Sequence, residues 1–201
     1  GAEKLLRVTG LLERRCAVCR EPFEREEPAL SGRLPTVDGV LRDFVCPECR
    51  RELRRRAAGF CPYCGEPSAL EDAPCMPCGR CLEKLPPWQD FMFFGIYGGR
   101  LRELVLRAKF GGSLAVMDML GRLLAALCLE HYEISSLPDV IVPMPLDAKR
   151  LHKRGFNQCR ELVRPAAKIL GVPVRTDMVV KSRVLMPQEA LNRVLFAGEH
   201  L

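Results

Sequence analysis

The chain has 201 residues, of which 48% are hydrophobic and 28% are charged, so it can bury a core as one large domain or two small ones. No stretch is apolar enough to predict a membrane span, because the best candidate, residues 114–129, contains Asp118, Gly121 and Arg122. The formal net charge of +6 does not by itself indicate a nucleic-acid partner, because local clusters of charge matter more than the total.

The N-terminus lacks a basic region followed by a long apolar run, which predicts no signal peptide. Nine of the eleven cysteines lie between Cys16 and Cys81. A secreted disulfide scaffold is the alternative explanation, but the odd count, the missing export signal and the C-x-x-C spacing oppose it. We therefore expect a cytoplasmic protein that binds metal.

Four C-x-x-C pairs predict two structural Zn²⁺ sites, because two such turns supply the four sulfur ligands of a tetrahedral ion. A four-sulfur site leaves no coordination position for water or substrate, so we expect no catalytic role for the metal. The glycine after Cys64 suits the tight turn of such a pair. The proposed metal ligands are Cys16, Cys19, Cys46, Cys49, Cys61, Cys64, Cys78 and Cys81.

Two alternatives stay open for these ligands. Cys75 also forms a C-x-x-C pair with Cys78 and so competes with Cys81. The pairs can combine in chain order or in a cross-braced order, and the simpler chain order is preferred.

The other cysteines and the arginine run 50–56 favour plain structural interpretations. Cys128 lies on an apolar helical face and is expected in the core. Cys159 is interpreted as a packed residue rather than a reactive thiol. Arg50 to Arg56 (RRELRRR) is interpreted as a solvated helix face rather than a nucleic-acid contact.

Composition changes near Leu85. Residues 1–85 show little apolar periodicity and should need metal to fold. Pro86, Pro87 and Trp88 predict a stiff linker with an aromatic anchor. Beyond the linker, 91–97 predicts a buried strand, Arg100 to Phe110 an amphipathic helix, and Ser113 the cap of a helix that ends near His131.

The last third of the chain predicts parallel α/β structure. Val140 to Val142 reads as a buried strand, Phe156 to Leu170 as a helix closed by Gly171, and Val172 to Val180 as one or two strands. Strand–loop–helix–strand order favours a parallel sheet.

A basic loop separates the strand at 140–142 from the next helix. It holds Lys149, Arg150, His152, Lys153 and Arg154. Free N–H groups at a helix start and an arginine fork suit a phosphate, and ligands bind beyond the carboxyl ends of strands in such sheets. A merely solvated loop is the alternative.

The stretch IVPMPLDAKRLHKRGFNQ, together with the cysteine pairs, resembles the ComF/GntX family. Tyr97…Leu104…Lys109-Phe110 and Arg183…Gln188…Leu191 are similar to further segments of that family. The resemblance implies a double zinc ribbon over 1–85 and a type I phosphoribosyltransferase-like α/β domain over 86–201.

Such transferases use phosphoribosyl pyrophosphate with Mg²⁺, and the family is linked to competence and incoming single-stranded DNA. The resemblance implies substrate or phosphate contacts from Arg154, Gly155, Asn157, Gln158 and Lys109. It leaves the catalytic residues and the acceptor nucleophile unassigned.

The family's acidic pair followed by Thr-Thr-Gly, which holds the 5-phosphate and ribose, is absent from this sequence. We therefore expect only the N-terminal part of the transferase-like domain here, without activity of its own. The alternative function is a zinc-ribbon binding module for single-stranded nucleic acid or a protein partner such as a competence-machinery component. The small number of aromatic residues counts against base stacking in that alternative.

Overall fold

The structure is a computed structural model that describes residues 14–24 and 34–180. Two short strands, β1 (Arg14–Arg15) and β2 (Pro22–Phe23), pair antiparallel near the start. The helices are α1 (Val37–Phe44), α2 (Pro47–Glu52), α3 (Gly79–Glu83), α4 (Gly99–Phe110), α5 (Leu114–His131), α6 (Ala148–Arg154) and α7 (Gln158–Leu170). The N-terminal residues assessed for a signal peptide, and Arg183, Gln188 and Leu191, lie outside the described residues.

Helix α1 is an amphipathic element that the sequence analysis did not predict in the cysteine-rich half. Its start is capped by the Thr36 hydroxyl, which accepts a hydrogen bond from the Gly39 N–H at 3.1 Å. Val37, Val40 and Leu41 are buried, and their spacing places them on one face. The helix has 8 residues, so its apolar stripe contains only these three buried side chains and gives a weak periodic signal.

The two helices predicted after the linker are confirmed. Helix α4 begins one residue before the predicted Arg100, and α5 ends at the predicted His131. Ser113 occupies the N-cap position of α5, but its side chain makes no capping hydrogen bond, so that detail of the prediction is wrong. None of the described helices is both long enough and apolar enough to cross a membrane.

Helix α5 forms the centre of the core and packs against α7, α1 and α4. Gly121 allows the close approach to α7, because a Cβ there would lie 2.3 Å from the Leu162 carbonyl oxygen and from Pro165 Cγ. The same cluster of buried side chains contains Cys16 and Cys46 as well as Met119 of α5. The first cysteine group and the later helices therefore share one core.

The linker is anchored as predicted, but the strand predicted after it is wrong. The Trp88 indole N–H donates to the Tyr63 carbonyl at 2.6 Å. Residues 91–97 form no strand. Instead the Phe93 ring meets the Phe60 ring edge-on, with centroids 4.9 Å apart, and the Phe94 carbonyl accepts a hydrogen bond from the Arg56 N–H. This aromatic run packs against the cysteine-rich half rather than entering a sheet.

Parallel pairing in the described residues is limited to one bridge between Ile141 and Val174. The Ile141 N–H donates to the Pro173 carbonyl at 2.9 Å, and the Ile141 carbonyl accepts from the Arg175 N–H at 3.0 Å. The strands predicted at 140–142 and 172–180 are therefore much shorter than expected. Over residues 14–24 and 34–180 the fold is mainly helical with few strands.

Candidate metal centres and basic loop

The first group of cysteines joins a strand turn to a helix start. Cys16 and Cys19 lie in the turn between β1 and β2, Cys46 is the N-cap of α2, and Cys49 lies within α2. The four Sγ atoms lie within 4.8 Å of one another, and Cys19 Sγ is 3.8 Å from Cys46 Sγ.

The second group repeats this arrangement further along the chain. Cys61 and Cys64 lie in a turn beside the antiparallel bridge between Phe60 and Pro67, and Cys78 is the N-cap of α3, which contains Cys81. Their Sγ atoms also lie within 4.8 Å of one another, and Cys64 Sγ is 3.7 Å from Cys78 Sγ. The cysteines thus group in chain order, and Cys75 is exposed and outside the group.

Both groups fit Zn²⁺ by donor type and by spacing. With Zn–S bonds of about 2.3 Å, the sulfurs of a regular tetrahedron lie about 3.8 Å apart. The Sγ–Sγ distances of 3.8 Å and 3.7 Å agree with that edge. When bound, each ion would cross-link a turn to a helix start and leave no position for a substrate.

Backbone N–H groups favour ionisation of one thiol in each group. At Cys16, burial raises the pKa, but the N–H groups of Cys46, Cys19 and Val18 together bring the pKa down to about 7. At Cys61, burial is likewise outweighed by backbone N–H groups, and the pKa falls to about 6.

Another thiol in each group, Cys49 in the first and Cys81 in the second, ionises less readily. Burial, followed by hydrogen bonding to the other cysteines of the group, raises the pKa of Cys81 to about 12 and raises that of Cys49 as well. Four thiolates together therefore need a bound cation, which is the electrostatic role that Zn²⁺ supplies.

The turn after each first pair requires a left-handed residue. Gly65 has φ +73°, as the prediction of a tight turn demands, and Arg20 takes φ +70° at the equivalent place after Cys19. Each turn is closed by matching bonds: the Arg20 N–H donates to the Cys16 carbonyl, and the Gly65 N–H donates to the Cys61 carbonyl, both at 2.9 Å. This agreement makes the two groups structural repeats of each other.

Helix α6 lies where a loop was predicted, and that prediction is corrected. Asp147 caps it: the buried carboxylate accepts from the Arg150 N–H at 2.9 Å and forms an ion pair with the Arg150 guanidinium. Gly155, at φ +75°, ends the helix in the left-handed region. The sequence signal was Asp147 itself, since aspartate is a favoured N-cap residue.

Asn157 has a positioning role. It is the N-cap of α7, where its Oδ1 accepts from the Cys159 N–H at 2.9 Å, and its Nδ2 donates to the Met144 carbonyl at 3.1 Å. The helix predicted from Phe156 therefore begins at Gln158. Through these two hydrogen bonds, Asn157 links the start of α7 to the segment that follows Ile141.

Arg154, Gln158 and Lys109 lie in the same neighbourhood. The Arg154 guanidinium donates to Gln158 Oε1 at 3.0 Å and lies 4.9 Å from the centroid of the Phe110 ring. Burial raises the pKa of the half-buried Cys159 thiol, and the positive charges of Lys109 and Arg154 act in the opposite direction. The structure thus brings two cations from separate helices close to the start of α7. Cys128, by contrast, is buried in α5, as expected.

A third feature is a cleft of about 1110 Å³ that was not predicted as a site. We call it the arginine cleft. Its lining residues are Val37, Asp38, Leu41, Arg42, Pro47, Arg50, Arg51, Leu53, Arg54, Arg55 and Glu130. The run 50–56 was the available signal, but Arg42 joins it only because α1 and α2 pack together.

These features define a class of protein with paired four-cysteine zinc-ribbon centres. The chain is 37% identical over 150 residues to the DNA utilization protein YhgH of Salmonella typhimurium, which covers 74% of this chain and 64% of that protein. It is 28% identical over 162 residues to competence protein F of Haemophilus influenzae, covering 75% and 71% respectively. With competence protein ComFC of Bacillus subtilis it shares 30% identity over 154 residues, covering 73% and 60%.

The chain is thus homologous to proteins named for DNA utilization and competence, at 28–37% identity over about 74% of its length. It spans about 64% of the length of the YhgH proteins that it matches. No protein-family model matches the chain, and no solved structure matches it.

Proposed function

We propose that this chain combines a double zinc ribbon, residues 1–85, with the leading part of a phosphoribosyltransferase-like α/β domain, residues 86–201. In this proposal the protein serves DNA utilization or competence, as the names of its relatives suggest. Two Zn²⁺ ions are structural, held by the two four-cysteine groups. The substrate class is phosphoribosyl pyrophosphate or a nucleotide-like ligand, which would carry Mg²⁺ with it.

The observation that supports the transferase-like site is the parallel bridge between Ile141 and Val174. Helices α6 and α7 lie between these two residues in the chain, as in a β–α–β crossover. The segment from Pro143 to Gln158 leaves the carboxyl side of the Ile141 bridge, which is where ligands bind in open α/β folds.

Within this segment the proposed residues have distinct roles. Arg154 and Lys109 supply positive charge for phosphate oxygens. Gly155 makes the turn between α6 and α7, and Asn157 holds the start of α7 in place. Gln158 orients the Arg154 guanidinium through its side-chain hydrogen bond.

Titration calorimetry with phosphoribosyl pyrophosphate and Mg²⁺ tests the proposal on the protein in its full natural length. We expect the K109A/R154A variant to lose at least about tenfold in affinity, since each charge-assisted contact contributes about 1.5–3 kcal/mol. The matched control is R102A, an exposed arginine on α4. No binding by the wild type, or equal binding by K109A/R154A, contradicts the proposal.

A second candidate function is a binding module for single-stranded nucleic acid, and exposed aromatic rings beside cations favour it. Tyr97 is 53% exposed and Phe110 is 69% exposed. Lys109 lies 5.9 Å from the Tyr97 ring centroid, and Arg154 lies over Phe110. Rings of this kind can stack on bases while the cations meet phosphates.

Charge reversal at Lys149, Lys153 and Arg154 tests whether this loop is the nucleic-acid contact. If the loop binds single strands, the triple variant should lose salt-dependent retention of an oligonucleotide. Retention equal to that of the wild type rules the loop out as the main contact.

A further inference from the structure

The arginine cleft presents concentrated positive charge on the metal-binding half of the protein. Five arginines line it against two carboxylates, Asp38 and Glu130. Arg42 and Arg50 have partners within the protein. Arg51 and Arg54 are exposed at the end of α2 and just beyond it, and Arg54 Nε donates to the Arg51 carbonyl at 3.0 Å. The cleft shares no residue with the basic loop.

The shape of the cleft is fixed by its floor. Cys49 and Leu53, which lie within the same stretch of chain as the arginine run, are buried. The N-cap of α2 is Cys46, a residue of the first four-cysteine group. Glu130, near the end of α5, accepts from the Val37 N–H at 2.9 Å and forms an ion pair with Arg55. One carboxylate of the lining is therefore already engaged in holding α1 to Arg55.

The lining chemistry selects the kind of ligand. Val37, Leu41 and Leu53 of the lining are buried at 5%, 7% and 3% exposure, so none of these three side chains is available to insert into a membrane. All five cations are arginines, whose planar forks match phosphate oxygens. Among the described residues no aromatic side chain lines the cleft, so the part of the surface that the structure describes provides no base stacking here. The combination suits a repeating phosphate backbone bound without regard to sequence.

We infer that the arginine cleft, rather than the basic loop, is the surface that binds the phosphate backbone of nucleic acid. The inference rests on the nucleic-acid binding given above as the second candidate function, but it assigns the phosphate contacts to a surface other than the rings of Tyr97 and Phe110. It is independent of the transferase-like site, because it involves neither Arg154 nor Lys109.

The test is fluorescence anisotropy of a labelled oligothymidine of about 20 nucleotides, longer than a site size of about 4–16 nucleotides. Binding to the zinc-loaded protein is measured between about 50 and 200 mM salt. The cleft variant is R51E/R54E, and R51Q/R54Q replaces it if the glutamates unfold the protein. The loop variant is K149E/R154E. The control for net charge is R102E/K168E, two exposed residues on α4 and α7.

We expect R51E/R54E to weaken binding at least about tenfold and to reduce the slope of log K against log salt by about 1.4, since each lost phosphate contact on a single strand removes about 0.7. The loop and control variants should stay within about threefold of the wild type, the scale of screened long-range charge. Inorganic polyphosphate should compete with the labelled oligonucleotide, because the contacts proposed here are to phosphate groups alone.

Four outcomes overturn the inference: no binding by the wild type, an equal loss in the control variant, a larger loss in the loop variant, or binding of polyphosphate without the oligonucleotide. Affinity of R51E/R54E for phosphoribosyl pyrophosphate is measured on the same preparation. It reports on the transferase-like site separately, so failure of one proposal is distinguishable from failure of the other.

Discussion

Arg107 of α4 donates a hydrogen bond to the carbonyl of Val18 at 2.8 Å, inside the turn that carries Cys16 and Cys19. The same Nη1 also donates to the Ala17 carbonyl. A helix that lies far along the chain therefore holds the backbone of the first metal-binding turn. We expect the R107A variant to lose about 1.5–3 kcal/mol of stability, the usual contribution of a hydrogen bond to a charged group.

The loss of stability in R107A should be confined to the first cysteine group. Release of the two zinc ions to a chelator, followed in time, should show one ion leaving faster and the other unchanged. R102A, on the exposed face of the same helix, serves as the control and should match the wild type. Equal release rates in R107A and R102A would contradict this role of Arg107.

Serine substitution at a metal ligand should reduce zinc content in a predictable way. C49S and C81S should each bring the metal content from two ions to one, because a four-sulfur site does not survive the loss of a buried ligand. C75S should keep two ions, since Cys75 is exposed and outside both groups. Metal analysis after gel filtration measures this, and one ion lost in C75S would show that Cys75 is a ligand.

Replacing Gly65 with a residue that carries a side chain should destabilise the protein. Its φ is +73°, and a Cβ there would lie 2.3 Å from Cε1 of Phe91. We expect G65A to destabilise the second metal-binding turn by about 1–2 kcal/mol from the left-handed backbone alone, with a further cost because the Phe91 ring must move. Urea unfolding of the zinc-loaded protein measures the change.

The control for Gly65 is the equivalent turn of the first group. R20G places a glycine at φ +70°, where the left-handed strain of a side chain is relieved. We expect R20G to be neutral or slightly more stable. If G65A is as stable as the wild type, the close packing of Phe91 against this turn is wrong.

The contact between α5 and α7 should also be sensitive to an added side chain at Gly121. A Cβ at Gly121 would meet the Leu162 carbonyl oxygen and Pro165 Cγ at 2.3 Å, so G121A forces the helices apart and should cost about 1–3 kcal/mol. Gly79 in α3 has no atom within 4 Å of a built Cβ. G79A should therefore leave stability within about 1 kcal/mol of the wild type. Equal melting temperatures for G121A and G79A would contradict the close contact between α5 and α7.

Local signals predicted the parts of this protein that depend on short stretches of chain. The C-x-x-C spacing predicted which cysteines come together, because a two-residue gap brings both sulfurs to one side of a turn. Helix α5 was predicted to its last residue, because apolar periodicity over 18 residues clearly indicates a helix.

Tertiary contacts decided the parts that were missed. Residues 91–97 look like a strand by composition, but their rings pack against the cysteine-rich half instead of pairing with another strand. The strand at Ile141 has one partner, Val174, within the described residues, so it remains a bridge. The arginine cleft exists only because α1 brings Arg42 and Leu41 next to α2, a relationship between separate segments that a linear pattern does not contain.

Native mass spectrometry of the purified chain tests most directly whether the two cysteine groups organise this protein around metal. The account predicts a species carrying two zinc ions, with eight thiols that become reactive only after a chelator and a denaturant are added. A metal-free chain whose cysteines are joined in disulfides would contradict it.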